Sequence, residues 1–417
     1  MIIDKVTATI INIGDELLNG RRINTNLNWL SAELYKMNIN TVKGSCVPDN
    51  VKLINNELQN ASNSDYVFVT GGLGSTVDDK TIEAVSLFIK KNTYFDKHYY
   101  EKIKKDFLKK SLKISKVLKK QAIKINDVKY FDNPVGSAEG FAFKVKDCTY
   151  FILPGVPNEM KYLFLKTIKS QLSDKVKKIH SEVIQTFGLT ESYISSEIEF
   201  IMKKYKNIKF SFLPSFKRVS LILSSASESD LKKAKVDIVK ILDFHVYSFE
   251  NKSLLETVVD MLVKNHITIS TCESCTGGKL ASLFTEIEGS SQYFKGSIVA
   301  YSDIIKSRIA NVDPKKINRF GSVSKEVAKE MAINISEIMN TDMSISITGL
   351  SGPGGSQGVH EVGTVFIAVK YLENIFISKY KLPYNREAHR FITCQIALNN
   401  VRLILMNKWS DNIYKFK

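Results

Sequence analysis

Hydrophobic and polar positions divide the chain into three stretches of different texture. Over residues 5–170, β-branched runs that end in glycine alternate with apolar residues at three- and four-residue steps, the pattern of parallel strands joined by helices. Val6 to Gly14 predicts a strand and its turn, and Leu27, Leu30, Leu34 and Met37 share one helix face. Ser64 to Thr70 predicts a buried strand stopped by Gly71-Gly72, followed by a helix from Thr81 to Ile89. Phe141 to Val145 and Thr149 to Leu153 read as a strand pair leading into the turn Pro154-Gly155-Val156-Pro157. Over 171–250, short strands (Glu182 to Phe187, Lys209 to Leu213, Ser220 to Ser224) alternate with helical spacing at Ser192 to Tyr205 and Ser229 to Leu242, a small α+β layer. The remainder returns to α/β alternation: helices at Ser253 to Lys264, Thr276 to Glu286, Ser324 to Met339 and Asn385 to Leu405, with strands at Ile267 to Thr271, Ser297 to Tyr301, Met343 to Thr348 and Gly363 to Tyr371. The expected fold class is α/β, with two parallel-sheet domains (1–170 and 251–417) joined by a small α+β domain (171–250). That middle layer suits a KH-like topology but lacks a G-x-x-G loop.

Composition narrows the classes without choosing among them. The 417 residues are 44% hydrophobic and 24% charged, which excludes a disordered or collagenous chain. No apolar run approaches the ~18–20 residues of a membrane span. The N-terminus lacks a secretory pattern and the cysteines are five, sparse and odd in number, so a reducing, cytoplasmic setting without membrane attachment is expected. The net charge of +16 comes largely from lysine. Between Lys97 and Lys124 the apolar residues Ile103, Phe107, Leu108, Leu112, Ile114, Val117 and Leu118 recur at helical steps and leave the lysines on a solvated face. A groove for polyanions is the alternative reading of the same charge.

The densest chemistry is Cys272-Glu273-Ser274-Cys275-Thr276-Gly277-Gly278, at a strand end and a helix start. Glycines there allow close backbone approach, and the N–H groups of the turn suit an oxyanion or phosphate. A serine on such a turn is a candidate nucleophile that needs a base. Cys272 and Cys275 also form a C-x-x-C, but no second cysteine or histidine pair completes a zinc site, and a redox dithiol and a buried packing pair remain the other readings. Tyr301-Ser302 and Lys306 follow the next strand; a desolvated lysine can serve a serine as general base. Thr348 to Ser356 is a glycine-rich strand end of the kind that cradles phosphate or ribose.

These residues resemble the C-terminal domain of the CinA (competence/damage-inducible protein A) family. Glu273 to Gly278, Gly289-Ser290-Ser291 through Tyr301-Ser302 and Lys306, Gly321 to Ser324, Gly349 to Gly355 and Val362 to Val365 occur in the family's order. The resemblance implies a nicotinamide-nucleotide amidohydrolase that converts nicotinamide mononucleotide to nicotinate mononucleotide and ammonia, as in pyridine-nucleotide salvage. Ser274, Lys306 and Tyr301 would be catalytic and need no cofactor. Glu273, Thr276, Gly277, Gly278, Ser291, Gly349, Gly352, Gly354, Gly355 and Arg386 would bind substrate, with Arg390 one turn beyond. Tyr384-Asn385 stands where the family has Gly-Asp, and Leu350-Ser351 where it has Ile-Ala, an exchange neutral by size.

In the first stretch, Gly71-Gly72-Leu73-Gly74-Ser75-Thr76-Val77-Asp78-Asp79 joins a glycine turn to two carboxylates. Asp15 and Asp49 close other strands, and Thr25-Asn26 opens a helix. Carboxylates beside a phosphate cradle suit Mg²⁺ or a similar divalent metal, while helix capping by Asp79 is the plainer reading. With Gly136-Ser137-Ala138 and Leu153 to Met160, this set is similar to the molybdopterin-binding fold of the N-terminal half of CinA proteins. That likeness implies a metal-dependent ADP-ribose pyrophosphatase. Gly71, Gly72, Gly74, Thr76 and Asn26 would hold the nucleotide, and Asp15, Asp49, Asp78 and Asp79 the metal. Proline is common in the family where Ser75 stands. The expected partners are small nucleotides (nicotinamide mononucleotide, ADP-ribose) and further copies of the chain in a homodimer or larger homo-oligomer, rather than nucleic acid. A non-catalytic or nucleic-acid-associated competence protein is the alternative.

Overall fold

The computed structural model describes residues 6–109, 111, 114–172, 179–354 and 360–410, with Lys116 described in its backbone only. The chain divides into two compact units, Met1–His180 and Ser181–Lys417.

The first unit is built on a six-stranded sheet in the order β2-β1-β3-β8-β7-β6. Its strands are β1 (Thr7–Ile13), β2 (Asn40–Val47), β3 (Tyr66–Thr70), β6 (Lys129–Phe131), β7 (Gly140–Val145) and β8 (Cys148–Leu153); β4 (Thr93–Phe95) and β5 (Ile123–Ile125) form a separate ribbon. β2, β1, β3 and β8 run parallel, while β7 and β6 add an antiparallel edge, so the sheet is mixed rather than wholly parallel. Successive residues of β1 point to opposite faces. Ala8 and Ile10 meet Phe68, Phe151 and the Thr25–Lys36 helix (Leu30, Leu34), and Ile11 and Ile13 meet Val67, Val69 and the Val51–Asn60 helix (Ile54, Leu58). Covering both faces is what makes the central strands read as unbroken apolar runs.

The lysine-rich stretch differs from its sequence reading. Helix Lys97–Lys109 ends short, and 116–122 is a 3₁₀ segment. Ile103 and Leu118 are buried as expected, but Leu108 is 63% exposed and Val117 49%. Apolar periodicity thus continues across a break in the helix. Several of the lysines are neutralised locally, Lys102 by Asp132, Lys104 by Glu101 and Lys109 by Asp106.

The second unit carries two sheets. A four-stranded sheet, β10-β11-β9-β12, comprises β9 (His180–Phe187), β10 (Lys209–Ser215), β11 (Arg218–Ser225) and β12 (Val246–Ser248), packed on the Glu228–Leu242 helix. The single helix expected over Ser192 to Tyr205 is broken at Ile198 into Glu191–Glu197 and Glu199–Lys204. A five-stranded sheet in the order β14-β13-β15-β16-β17 follows: β13 (Ile269–Glu273), β14 (Phe294–Val299), β15 (Met343–Gly349), β16 (Thr364–Tyr371) and β17 (Asn374–Lys381). β14, β13 and β15 are parallel; β16 and β17 are antiparallel additions. One face packs on the Leu254–Lys264 helix, started by a Ser253/Glu256 capping box, and on Arg386–Leu405; the other packs on Lys325–Met339 through Val327, Met331 and Ile335. The carboxyl ends of β13, β14 and β15 and the start of β16 therefore lie along one sheet edge.

Among the described residues no helix is long and apolar enough to cross a membrane.

Candidate functional site

The carboxyl edge of the second unit's sheet gathers most of the residues singled out in its sequence. Ser274 leaves β13 as its N–H donates to Ile347 O of β15 (2.9 Å), and the turn closes with Gly277 N–H on Ser274 O (3.0 Å). Gly278 sits in the left-handed region (φ 84°) and opens the Lys279–Thr285 helix. A side chain at either glycine would be strained there, and a Cβ at Gly277 would stand 3.3 Å from Arg390 Nη2. Ser274 is nearly buried, and among the described residues its hydroxyl makes no hydrogen bond. Among the described residues the Thr276 hydroxyl, too, is buried without a partner.

Lys306 lies on the Asp303–Arg308 helix that follows β14, and β14 is joined to the nucleophile turn by Ala300 N–H on Glu273 O (2.7 Å). Its side chain is buried, with Asp303 Oδ1 at 3.6 Å from Nζ. Burial lowers its pKa against the opposing pull of Asp303, and its charge is felt by both Cys272 and Cys275, the residues that bracket Glu273-Ser274. No hydrogen bond joins Lys306 to Ser274 directly. Asp303 is itself held: it accepts from the Ser322 hydroxyl, and Ser322 O accepts from Thr348 Oγ1 (2.7 Å). Ser322 belongs to a segment quoted for the family likeness without a role, and Asp303 was not singled out. Their part appears only when β14, β15 and the 321–324 segment are brought side by side.

The first turn of the Arg386–Leu405 helix faces this edge. Arg386 donates from Nη1 to Gly352 O (3.0 Å) and from Nη2 to Tyr301 Oη (3.1 Å), remains exposed, and has further N–H groups that bond to none of the described residues. Tyr301 is 59% exposed, and its hydroxyl accepts from Arg386. Arg390 donates to Thr276 O from Nε (3.2 Å) and Nη2 (2.6 Å), so it fastens the nucleophile turn. Asn385, in place of the family's aspartate, still caps this helix through Ala388 N–H.

Two expectations change, and one alternative is settled. Glu273 is fully buried and accepts the N–H groups of Leu280 (3.1 Å) and Ala281 (2.7 Å), so it caps a helix rather than facing a substrate. Ser291 precedes β14, whereas Ser274 follows the parallel strand β13; parallel pairing puts the two at opposite ends of the sheet, and Ser291 is not brought to the site. Cys272 and Cys275 are buried free thiols whose pKa values burial pushes up to about 12 and about 11, which suits packing and not a reactive dithiol. Gly349 and Gly352 lie at the edge as expected, where a Cβ on Gly349 would meet Thr364 O at 2.8 Å. Gly354 is in open space, and Gly355 lies outside the described residues.

In the first unit, Gly71 ends β3 with φ 106°, and a Cβ there would fall 2.2 Å from Ile13 O, so only glycine lets β1 and β3 close at this point. Gly72 accepts Thr81 N–H, which starts the next helix, and Thr81 Oγ1 donates to Gly71 O (2.8 Å). Asn26 donates to Gly155 O (2.8 Å), and its own carbonyl oxygen is buried with no partner among the described residues. A cavity of about 360 Å³ beside Gly72 and Gly74 is walled by Asp79, Lys120, Lys124, Tyr130 and Glu139. The last four went unnoticed in the sequence because they stand in the lysine-rich stretch and the hairpin beyond it. Lys124 is buried between Asp96 (3.0 Å) and Glu139 (2.6 Å), with the Tyr99 and Tyr130 rings 4.3 and 4.7 Å away.

The carboxylates expected to bind metal are only partly assembled. Burial raises the pKa of Asp49, helped by the charges of Asp15, Glu16 and Asp79 and opposed by the Asp15 N–H it accepts at 3.1 Å. Asp79 is turned onto Thr76, accepting its N–H (2.8 Å) and hydroxyl (2.7 Å), and Asp78 is exposed. Among the described residues no three acidic, histidine or cysteine side chains are close enough to hold a metal ion.

Comparison with known proteins agrees with the order of these sites. The family model of the CinA C-terminal domain matches residues 251–405, and that of a probable molybdopterin binding domain matches residues 9–174. A CinA-like protein of Thermosipho melanesiensis is 35% identical over 410 residues, spanning 95% of this chain and 99% of its own; one from Prochlorococcus marinus is 34% identical over 415 residues, spanning 96% and 95%. Among solved structures, the protein CinA with unknown function from Thermoplasma acidophilum is 31% identical, covering 41% of this chain and 99% of its own with a TM-score of 0.37. The chain belongs to the CinA family.

Proposed function

We propose that the second unit hydrolyses the carboxamide of nicotinamide mononucleotide, giving nicotinate mononucleotide and ammonia. The observation that carries this reading is Ser274, a nearly buried strand-end serine with an unbonded hydroxyl, flanked by cysteines that feel the charge of the buried, pKa-lowered Lys306. Ser274 Oγ bonds to the amide carbon as its proton passes to Lys306 Nζ, directly or through one water. The C–N bond then breaks and ammonia leaves with that proton. Water repeats the sequence on the resulting ester and restores the hydroxyl. Gly277 N–H is engaged within the turn, which leaves the N–H groups of Thr276 and Gly278 for the oxyanion. Asp303, aligned by Ser322, steadies Lys306. The glycine-rich loop after β15 and exposed Arg386 take the ribose phosphate.

The test is ammonia release from nicotinamide mononucleotide by the full chain, with nicotinate mononucleotide formed in equal amount. A chain that leaves this nucleotide untouched at high enzyme concentration overturns the reading.

A second reading concerns the first unit, where the cavity beside Gly72 and Gly74 favours a nucleotide ligand of the ADP-ribose kind. Equilibrium binding of ADP-ribose, weakened by Asp79→Ala, tests it. No binding at millimolar ADP-ribose contradicts it.

A further inference from the structure

The exchange of alanine for Ser351, neutral by size, places a hydroxyl at the root of the glycine-rich loop. There the structure gives it a partner 38 residues away, His389. His389 is fully buried on the first turn of the Arg386–Leu405 helix. Its Nδ1 is 3.0 Å from Ser351 Oγ and its Nε2 is 3.3 Å from Gly363 O.

A carbonyl oxygen only accepts, so Nε2 carries the hydrogen. Burial disfavours the charged ring, and in the neutral ring with its hydrogen on Nε2 the bare Nδ1 accepts the Ser351 hydroxyl. One imidazole thus ties the residue where the chain leaves β15 to the residue where it returns to β16. The same serine reaches the Cys275 side chain, next to Ser274. On either side of His389, Arg386 holds Gly352 O and Arg390 holds Thr276 O. Both nitrogens of His389 are used within this tie, so it is not a base for Ser274.

We propose that Ser351 and His389 are a positioning pair that fixes the glycine-rich loop against the nucleophile turn and so sets the affinity for the phosphate end of a nucleotide, without taking part in the chemistry at Ser274. This rests on the loop taking the ribose phosphate in the deamidase reading.

The experiment compares Ser351→Ala, His389→Ala, the double variant and His389→Asn, whose side-chain oxygen can still accept from Ser351. KM and kcat are measured for nicotinamide mononucleotide and for nicotinamide riboside, which lacks the phosphate. Hydrogen exchange of the described loop residues (349–354 and 360–364) is followed on the same proteins. Each alanine variant is expected to raise KM for the mononucleotide roughly 5- to 20-fold, the loss of one buried hydrogen bond, with kcat and the riboside kinetics within about threefold. Loop exchange is expected to speed up roughly tenfold with 277–280 unchanged, the double variant to match the singles, and His389→Asn to recover most of the loss.

Additive single effects, unchanged loop exchange, or an equal fall in kcat for both substrates would overturn the pairing. If wild-type protein shows no deamidation, the functional reading fails, and the exchange data alone decide whether the pair holds the loop. Ser351→Ala, the milder change, decides it if His389→Ala does not fold.

Discussion

Arg390 grips the carbonyl of Thr276 with two hydrogen bonds, Nε at 3.2 Å and Nη2 at 2.6 Å, so the closing helix of the second unit holds the turn that presents Ser274. Both donors come from one planar fork, which a lysine cannot reproduce. Arg390→Lys is therefore expected to lower kcat for nicotinamide mononucleotide roughly tenfold with a smaller change in KM, since misplacing a nucleophile costs rate before affinity. Steady-state kinetics check this.

Arg386 has a different task. Its two bonds among the described residues, to Gly352 O and Tyr301 Oη, use only part of its N–H groups, at an exposed position beside the loop. Arg386→Ala is expected to raise KM for the mononucleotide roughly tenfold or more, the loss of a charge-assisted pair, and to leave nicotinamide riboside nearly unaffected. Comparing the two substrates separates phosphate binding from a general loss of fold.

The pH dependence follows from Lys306. Burial lowers its pKa and Asp303 opposes the shift, so the free amine becomes available at lower pH than for an exposed lysine. kcat/KM should rise with pH along a limb whose midpoint lies below the ordinary lysine value. In Asp303→Asn, which removes the carboxylate that favours the charged form, that limb should move to still lower pH. A pH–rate profile of both proteins checks the sign.

Cys272 and Cys275 are expected to be dispensable as thiols. Their pKa values are pushed up to about 12 and about 11 by burial, so little thiolate exists at neutral pH. Cys272→Ala should keep activity within about threefold, and the folded protein should resist alkylation at both positions, read by peptide mass after iodoacetamide treatment.

Arg402 tests the scaffold rather than the site. It is almost wholly buried and donates to Asn399 Oδ1 (2.8 Å), Val246 O (3.1 Å) and Phe244 O (2.6 Å), tying the Arg386–Leu405 helix to the segment around β12. Arg402→Met leaves buried acceptors unpaired and should destabilise the second unit by about 2–4 kcal/mol, measured by chemical denaturation.

Strands buried on both faces were legible because they are continuous apolar runs: β3 and β15 lie where Tyr66–Thr70 and Met343–Gly349 stand out. β2 was not, since half of its residues (NTVKGSCV) are exposed and the run resembles a polar loop, and neither was β17, whose antiparallel pairing follows from a turn the chain makes after β16. Ser274 was legible from its strand-to-helix turn. Ser291 misled because closeness in sequence to Tyr301 hides the full length of β14 between them. His389 and Ser322 carry no local signature; each matters through a partner 38 or 19 residues away, on an element that only the folded sheet edge brings near, whereas Asp303 pairs with Lys306 one turn along its own helix.

The most direct measurement is ammonia release from nicotinamide mononucleotide by Ser274→Ala and Lys306→Met beside the wild-type chain, each checked for fold by thermal melting. With the fold kept, Ser274→Ala is expected to lose roughly 10³-fold or more in kcat and Lys306→Met roughly 10²- to 10⁴-fold. Turnover by Ser274→Ala at close to the wild-type rate would contradict the assignment of this serine as the nucleophile.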